Sequence, residues 1–149
     1  MQIFIDADAC PVKDEVVRVA ERHNLPVLLV SNSWMRGPDH PLVQRFTVNN
    51  HPDAADDWIA EHITASDVCV TSDIPLASRC LAKGARALSS YGKNWTPDNI
   101  GNALAGREIA QHLREIGAHT GGPAPITKAD RSRFLSALDT AVQAARRAS

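Results

Sequence analysis

The sequence predicts an α/β fold: three layers, α/β/α, around a mostly parallel central sheet, with further helices at the C-terminal end. Three observations carry this. Short apolar runs alternate with segments of helical spacing through residues 2–88. Two of those runs end in an aspartate, as Ile3-Phe4-Ile5-Asp6 and as Val68-Cys69-Val70-Thr71-Ser72-Asp73. The last third then becomes helical in pattern, interrupted by one Gly/Pro-rich loop.

Taken in order, residues 2–5 read as a buried strand. Pro11 suits a first helical position, and Val12, Val16, Val19 and Ala20 follow helical spacing until Leu25-Pro26. Residues 27–30 complete a β-α-β unit. Residues 32–41 (NSWMRGPDHP) form a polar loop with Trp34, Met35 and Arg36 at its centre, and residues 42–48 are a further strand of weaker apolar character. Asp53 is the expected N-cap of a helix whose apolar face holds Trp58, Ile59, His62 and Ile63. Residues 68–71 form a short central strand. Asp73 and Pro75 open the next helix, with Leu76, Cys80 and Leu81 inward and Gly84 as its stop; residues 85–88 add a strand.

Thr96-Pro97-Asp98 starts a helix running to Ile116, with Gly101 and Gly106 weakening its interior. Residues 117–126 form the Gly/Pro-rich loop. Thr127-Lys128-Ala129-Asp130 has the form of a capping box before an amphipathic helix carrying Phe134, Leu135, Leu138 and Val142.

At 149 residues and 16.1 kDa, the expectation is one domain spanning 1–149. Hydrophobic residues at 44% and charged residues at 22% are ordinary for a globular chain. No stretch approaches the ~20 apolar residues of a membrane span, and no basic segment followed by an apolar one suggests a signal peptide. Three cysteines without metal-site spacing (Cys10, Cys69, Cys80) suit a reduced, cytoplasmic setting. The sequence sets no oligomeric state.

The net charge of −1 hides an asymmetry: residues 1–75 carry −7 and residues 76–149 carry +6. An acidic half suited to a cation is joined to a basic half suited to phosphate, or the two halves simply attract each other.

A carboxylate closing a buried strand is costly unless a cation or donors meet it. Asp6, Asp73 and the pair Asp56 and Asp57 therefore suggest a cup for a hard divalent cation, Mg²⁺ or Mn²⁺, which takes oxygen ligands. Asp8 either joins the cup or caps the helix entered at Pro11. Thr71 and Ser72 add oxygens beside Asp73. Spacing does not choose between Asp56 and Asp57, and the helix dipole alone favours acids there. Cys10 has no neighbouring histidine to activate it, so a packed or capping thiol is expected. Arg79, Lys83 and Arg86, and likewise Lys128, Arg131 and Arg133, either line a phosphate path or form solvated helix faces. The six histidines lack zinc spacing. Trp34 and Trp95, both read as loop residues, are available to stack on bases, to anchor a lid or to plug the core.

Asp6-Ala-Asp-Ala-Cys-Pro11, Thr71-Ser-Asp-Ile-Pro-Leu-Ala77 and Gly121-Gly-Pro-Ala-Pro-Ile-Thr-Lys-Ala-Asp-Arg131, in this order, resemble the YaiI/YqxD family of bacterial proteins. The resemblance covers nearly the whole chain. It implies a fold similar to PIN-like metal-dependent nucleases, which place one acid at the end of the first strand, another near a helix start, and others after the fourth strand. Asp6, then Asp56 or Asp57, then Asp73 would match. The extra Asp8 with Cys10-Pro11, and the Gly/Pro-rich motif, depart from a typical PIN domain.

The leading functional expectation is a Mg²⁺- or Mn²⁺-dependent phosphodiesterase acting on RNA. A phosphatase of the haloacid-dehalogenase type, with Asp6 as nucleophile and Asp8 as acid/base, is one alternative. That family expects a later lysine and then an acidic pair at another strand end, whereas the acidic pair here precedes Thr71 and reads as helical, with no third strand-end acid after it. A non-catalytic module binding nucleic acid or a partner is the other.

Overall fold

In the computed structural model, which describes residues 1–48, 51, 53–115 and 126–148, six strands make one mixed sheet. They are β1 (Ile3–Asp6), β2 (Val27–Ser31), β3 (Val43–Thr47), β4 (Val68–Val70), β5 (Arg86–Leu88) and β6 (Asn94–Trp95). The sheet order is β3-β2-β1-β4-β5-β6, parallel throughout except for the β5–β6 edge. The helices are α1 (Lys13–His23), α2 (Ala54–His62), α3 (Ile74–Ala82), α4 (Pro97–Glu115) and α5 (Lys128–Ala148).

Alternation along the central strands builds the two cores. Ile3, Ile5, Leu29, Val68 and Val70 face α1 and α5, packing with Val12, Val16, Phe134, Leu138 and Val142. Phe4, Leu28, Val30 and Cys69 face α2 and α3, packing with Ile59, Ile63, Leu76 and Cys80. Strands buried on both faces read as unbroken apolar runs, as parallel central strands do. This is the expected α/β/α layering.

Several local expectations are corrected. The helix after β1 does not begin at Pro11. A 3₁₀ turn (Ala7–Ala9) follows β1, and α1 starts at Lys13. Cys10 is extended at φ −113°, ψ 108°, because a residue before proline is pushed out of the helical region. Asp53 stands at the N-cap of α2 but makes no side-chain capping bond; Asn32 Oδ1 instead accepts from the Ala55 amide at 2.9 Å. Trp95 lies in the two-residue strand β6 and is buried, not in a loop.

Other signals read as expected. Thr127 and Asp130 exchange reciprocal bonds of 3.0 and 3.1 Å at the start of α5, and Gly84 ends α3 at φ +84°. Most of the loop expected over 117–126, including Gly121, Gly122 and Pro123, lies outside the described residues.

The connection from β2 to β3 spans residues 32–42 and contains no helix. Because the two strands are parallel, it must run back along the sheet from carboxyl to amino edge. Strand order reverses between β1 and β4, so a crevice opens where their carboxyl ends part, the usual ligand position in open α/β sheets.

Candidate functional site

Asp6 ends β1, and Thr71 follows directly from β4, the strand beside it. Thr71 Oγ1 donates to Asp6 Oδ2 at 3.0 Å and accepts from the Asp73 amide at 2.9 Å. One buried hydroxyl therefore fixes the Asp6 carboxylate and the turn that presents Asp73. Asp73 Oδ1 in turn accepts from the Leu76 amide at 3.0 Å, capping α3. Asp56, in the first turn of α2, stands beside the Asp73 carboxyl.

Asp6, Asp8, Asn32, Ala55, Asp56, Ser72 and Asp73 line a cleft of about 320 Å³ at this edge. Burial pushes the Asp6 carboxyl up, and the charges of Asp73 and Asp8 add to that, against the Thr71 bond and the Lys13 ammonium. Burial and the neighbouring Asp73 and Asp6 raise Asp56 to about 7. Negative charge is thus concentrated here beyond what local donors offset.

Among the described residues, no three His, Cys, Asp or Glu side chains are drawn close enough to enclose a cation alone. The oxygen-only donor set still fits a hard divalent ion, which commonly takes one or two carboxylates and completes its shell with water and substrate phosphate. A larger cavity of about 480 Å³ lies beside Trp95 and α5 and is lined by no acid.

The structure separates the paired acids. Asp57 turns outward to Arg79, with Nη1 to Oδ1 at 2.8 Å and both side chains 46% exposed, leaving Asp56 in the cleft. Asp8 sits at the rim, its Oδ2 accepting from the Asn32 amide at 3.0 Å and not from a residue of α1. Ser72 Oγ lies 3.5 Å from Ser90 Oγ.

The basic residues are not gathered at the cleft. Lys83, ten residues beyond Asp73 and so about 15 Å along α3, donates to the Glu61 carbonyl. Arg131 ties α5 to α1 through the Pro11 carbonyl at 2.8 Å and Glu15 at 3.1 Å, and Lys128 borders the same α1–α5 seam. Cys10 is a buried thiol, raised by burial, in contact with Ser90.

Sequence reasoning missed Asn32, which joins the Asp8 turn to α2, and Lys13, whose charge reaches Asp6. The available signal for Asn32 was its place just past a third parallel strand end.

Among the described residues, no helix is long and apolar enough to cross a membrane. No solved structure matches the chain. It is 57% identical over 146 residues to a UPF0178 protein of Paramagnetospirillum magneticum, covering 98% of this chain and 97% of that one. It is 55% identical over 148 residues to a UPF0178 protein of Rhodospirillum rubrum, covering 99% of each. A UPF0178 protein of Caulobacter vibrioides is 53% identical over 146 residues, with 98% and 95% covered. Residues 4–144 match DUF188, described as "Uncharacterized BCR, YaiI/YqxD family", and the chain belongs to that family.

Proposed function

We propose that the cleft is a divalent-cation site and that the protein is a cytoplasmic Mg²⁺- or Mn²⁺-dependent phosphodiesterase acting on RNA. The observation that carries the reading is the convergence of Asp6, Asp56 and Asp73 from three separate elements at the point where strand order reverses. Their placement at the end of β1, in the first turn of α2 and after β4 would match the arrangement that the resemblance to PIN-like nucleases implies.

Asp6 and Asp73 would hold the cation, each already oriented by a fixed donor, Thr71 Oγ1 and the Leu76 amide. A bound cation supplies charge neutralisation on the phosphodiester and an acidified water. Asp56, beside the two acids that would hold the cation, is placed to take a proton from an attacking water. Asn32 and Thr71 keep the surrounding turns in register.

The test is cleavage of an end-labelled single-stranded RNA with Mn²⁺, Mg²⁺ or chelator. Cleavage is expected with metal only, and at least a hundredfold loss in Asp6→Asn, about the size of removing a principal catalytic group. Turnover of p-nitrophenyl phosphate without RNA cleavage would favour the phosphatase alternative. RNA binding unaffected by Asp6→Asn, with no cleavage, would favour the non-catalytic module.

A further inference from the structure

We propose that the carboxyl edge of the sheet is a platform for single-stranded nucleic acid. Trp34 and Tyr91 stack bases on the two sides of the acidic cleft, and Arg36 with Lys13 receives a backbone phosphate. The inference deepens the phosphodiesterase reading and rests on it for the position of the phosphodiester.

Two large hydrophobic side chains are exposed among the described residues, Trp34 at 73% and Tyr91 at 42%. Both follow carboxyl ends of strands: Trp34 comes three residues after β2, and Tyr91 three after β5. In the sheet order these strands flank β1 and β4, which carry the cleft. Three strand spacings separate β2 from β5, about 14 Å, so the segments that carry the two rings leave the sheet on either side of the strands that bear the acids.

Each ring is set on a constrained segment. Ser89 Oγ accepts from the Tyr91 and Lys93 amides, both at 3.2 Å, and Gly92 turns at φ +86° against α5. The Trp34 segment is pinned before it by Ser31 Oγ donating to the Ser33 carbonyl at 2.7 Å. After it, Arg45 donates to the Gly37 and Pro38 carbonyls. Rings held in water on tied-down backbone lose little freedom when a base stacks on them.

The charge beside Trp34 suits a phosphate. Arg36 is exposed and makes no hydrogen bond or ion pair among the described residues. It borders a hollow of about 400 Å³ shared with Cys10, Pro11, Lys13, Gly37 and Asp14. Lys13 Nζ stands 2.7 Å from the Cys10 carbonyl. Two cations against Asp14 leave this hollow net positive, next to a cleft that is net negative. A strand crossing the edge would place one phosphate over the cations and another over the acids. Stacking needs unpaired bases, which selects single strands over duplex.

The test is fluorescence anisotropy of the full chain with a fluorescein-labelled twelve-nucleotide oligouridylate, in chelator to prevent cleavage. The Asp6→Asn/Asp73→Asn variant serves as the background with reduced repulsion. Trp34→Ala and Tyr91→Ala are each expected to weaken binding about tenfold, with Trp34→Phe restoring most of the affinity. Arg36→Ala should weaken binding and flatten its salt dependence. The duplex with oligoadenylate should bind at least about tenfold more weakly than the single strand.

Absent saturable binding, indifference to both aromatic substitutions, or equal affinity for duplex would each overturn the platform. Calorimetry with Mn²⁺ alone on Trp34→Ala/Tyr91→Ala separates the two proposals, because the platform predicts unchanged cation binding there. A failed platform with intact Mn²⁺ binding leaves the cation site standing. Oligouridylate binding in a chain that takes up no Mn²⁺ does the reverse.

Discussion

Replacing Asp56 by Asn should stabilise the cation-free protein. The Asp56 carboxyl titrates at about 7 in the fold against an ordinary value of 3.8, first because it is buried and then because Asp73 and Asp6 stand beside it. Between these values the folded chain holds a proton that the unfolded chain has released, so folding is favoured as pH falls from about 7 toward 4. Above about 7 the folded state carries the full penalty of a crowded charge.

A shift of this size has a ceiling of about 4 kcal/mol. Asp56 is only half-buried, and solvent screening reduces this to about 2 kcal/mol. Asn removes the charge and keeps an amide able to donate to Asp73. For a chain of this length the expected rise in Tm at pH 8 in chelator is roughly 4–8 °C. At pH 4 the gain should shrink toward zero, and saturating Mn²⁺ should narrow it at pH 8 because the cation's charge offsets the repulsion that Asp56 meets from Asp6 and Asp73. Thermal unfolding followed by circular dichroism reads all three. An unchanged or lowered Tm at pH 8, or an equal gain at pH 4 and pH 8, would refute the reasoning.

Two further predictions concern the scaffold. Asp139 on α5 accepts from His23 Nε2 of α1 at 2.7 Å and from Gln143 at 2.6 Å, with both members of the His23 pair under one-fifth exposed. Burial opposes its ionisation, but these bonds and Arg22 outweigh burial and hold the carboxyl below its usual range. Asp139→Ala should therefore cost about 1–3 kcal/mol at pH 7. That deficit should fade as pH drops through the depressed value, because the wild type then loses the same contribution, and urea titrations at several pH values read it. Gly92→Ala should cost about 1–2 kcal/mol and shift the urea midpoint without changing m. Its Cβ would sit at φ +86° only 3.1 Å from the Arg133 carbonyl.

The layering was legible because parallel central strands and amphipathic helices leave unmistakable periods, as Ile3-Phe4-Ile5 and Phe134-Leu138-Val142 do. β6 was not, since two residues carry no period and its pairing with Ala87 and Leu88 is a tertiary event. Pro11 misled on the start of α1 because its effect on Cys10 outweighed its own fitness for a first turn.

In the cleft, Asp6 and Asp73 could be singled out from strand-end position alone. The choice between Asp56 and Asp57 could not, because adjacent residues in a first helical turn differ by about 100° and only the Arg79 partner on α3 fixes which faces inward. The role of Asn32 was hidden for a similar reason, since its bonds reach Asp8 and Ala55 across 24 and 23 residues of sequence.

The central claim is that Asp6 and Asp73 hold a divalent cation. Isothermal titration of Mn²⁺ into the wild type and into Asp6→Asn/Asp73→Asn, each with and without inorganic phosphate, tests it most directly. Saturable binding is expected in the wild type, strengthened by phosphate, and none in the variant. No binding by the wild type under either condition, or equal binding by the variant, would contradict it.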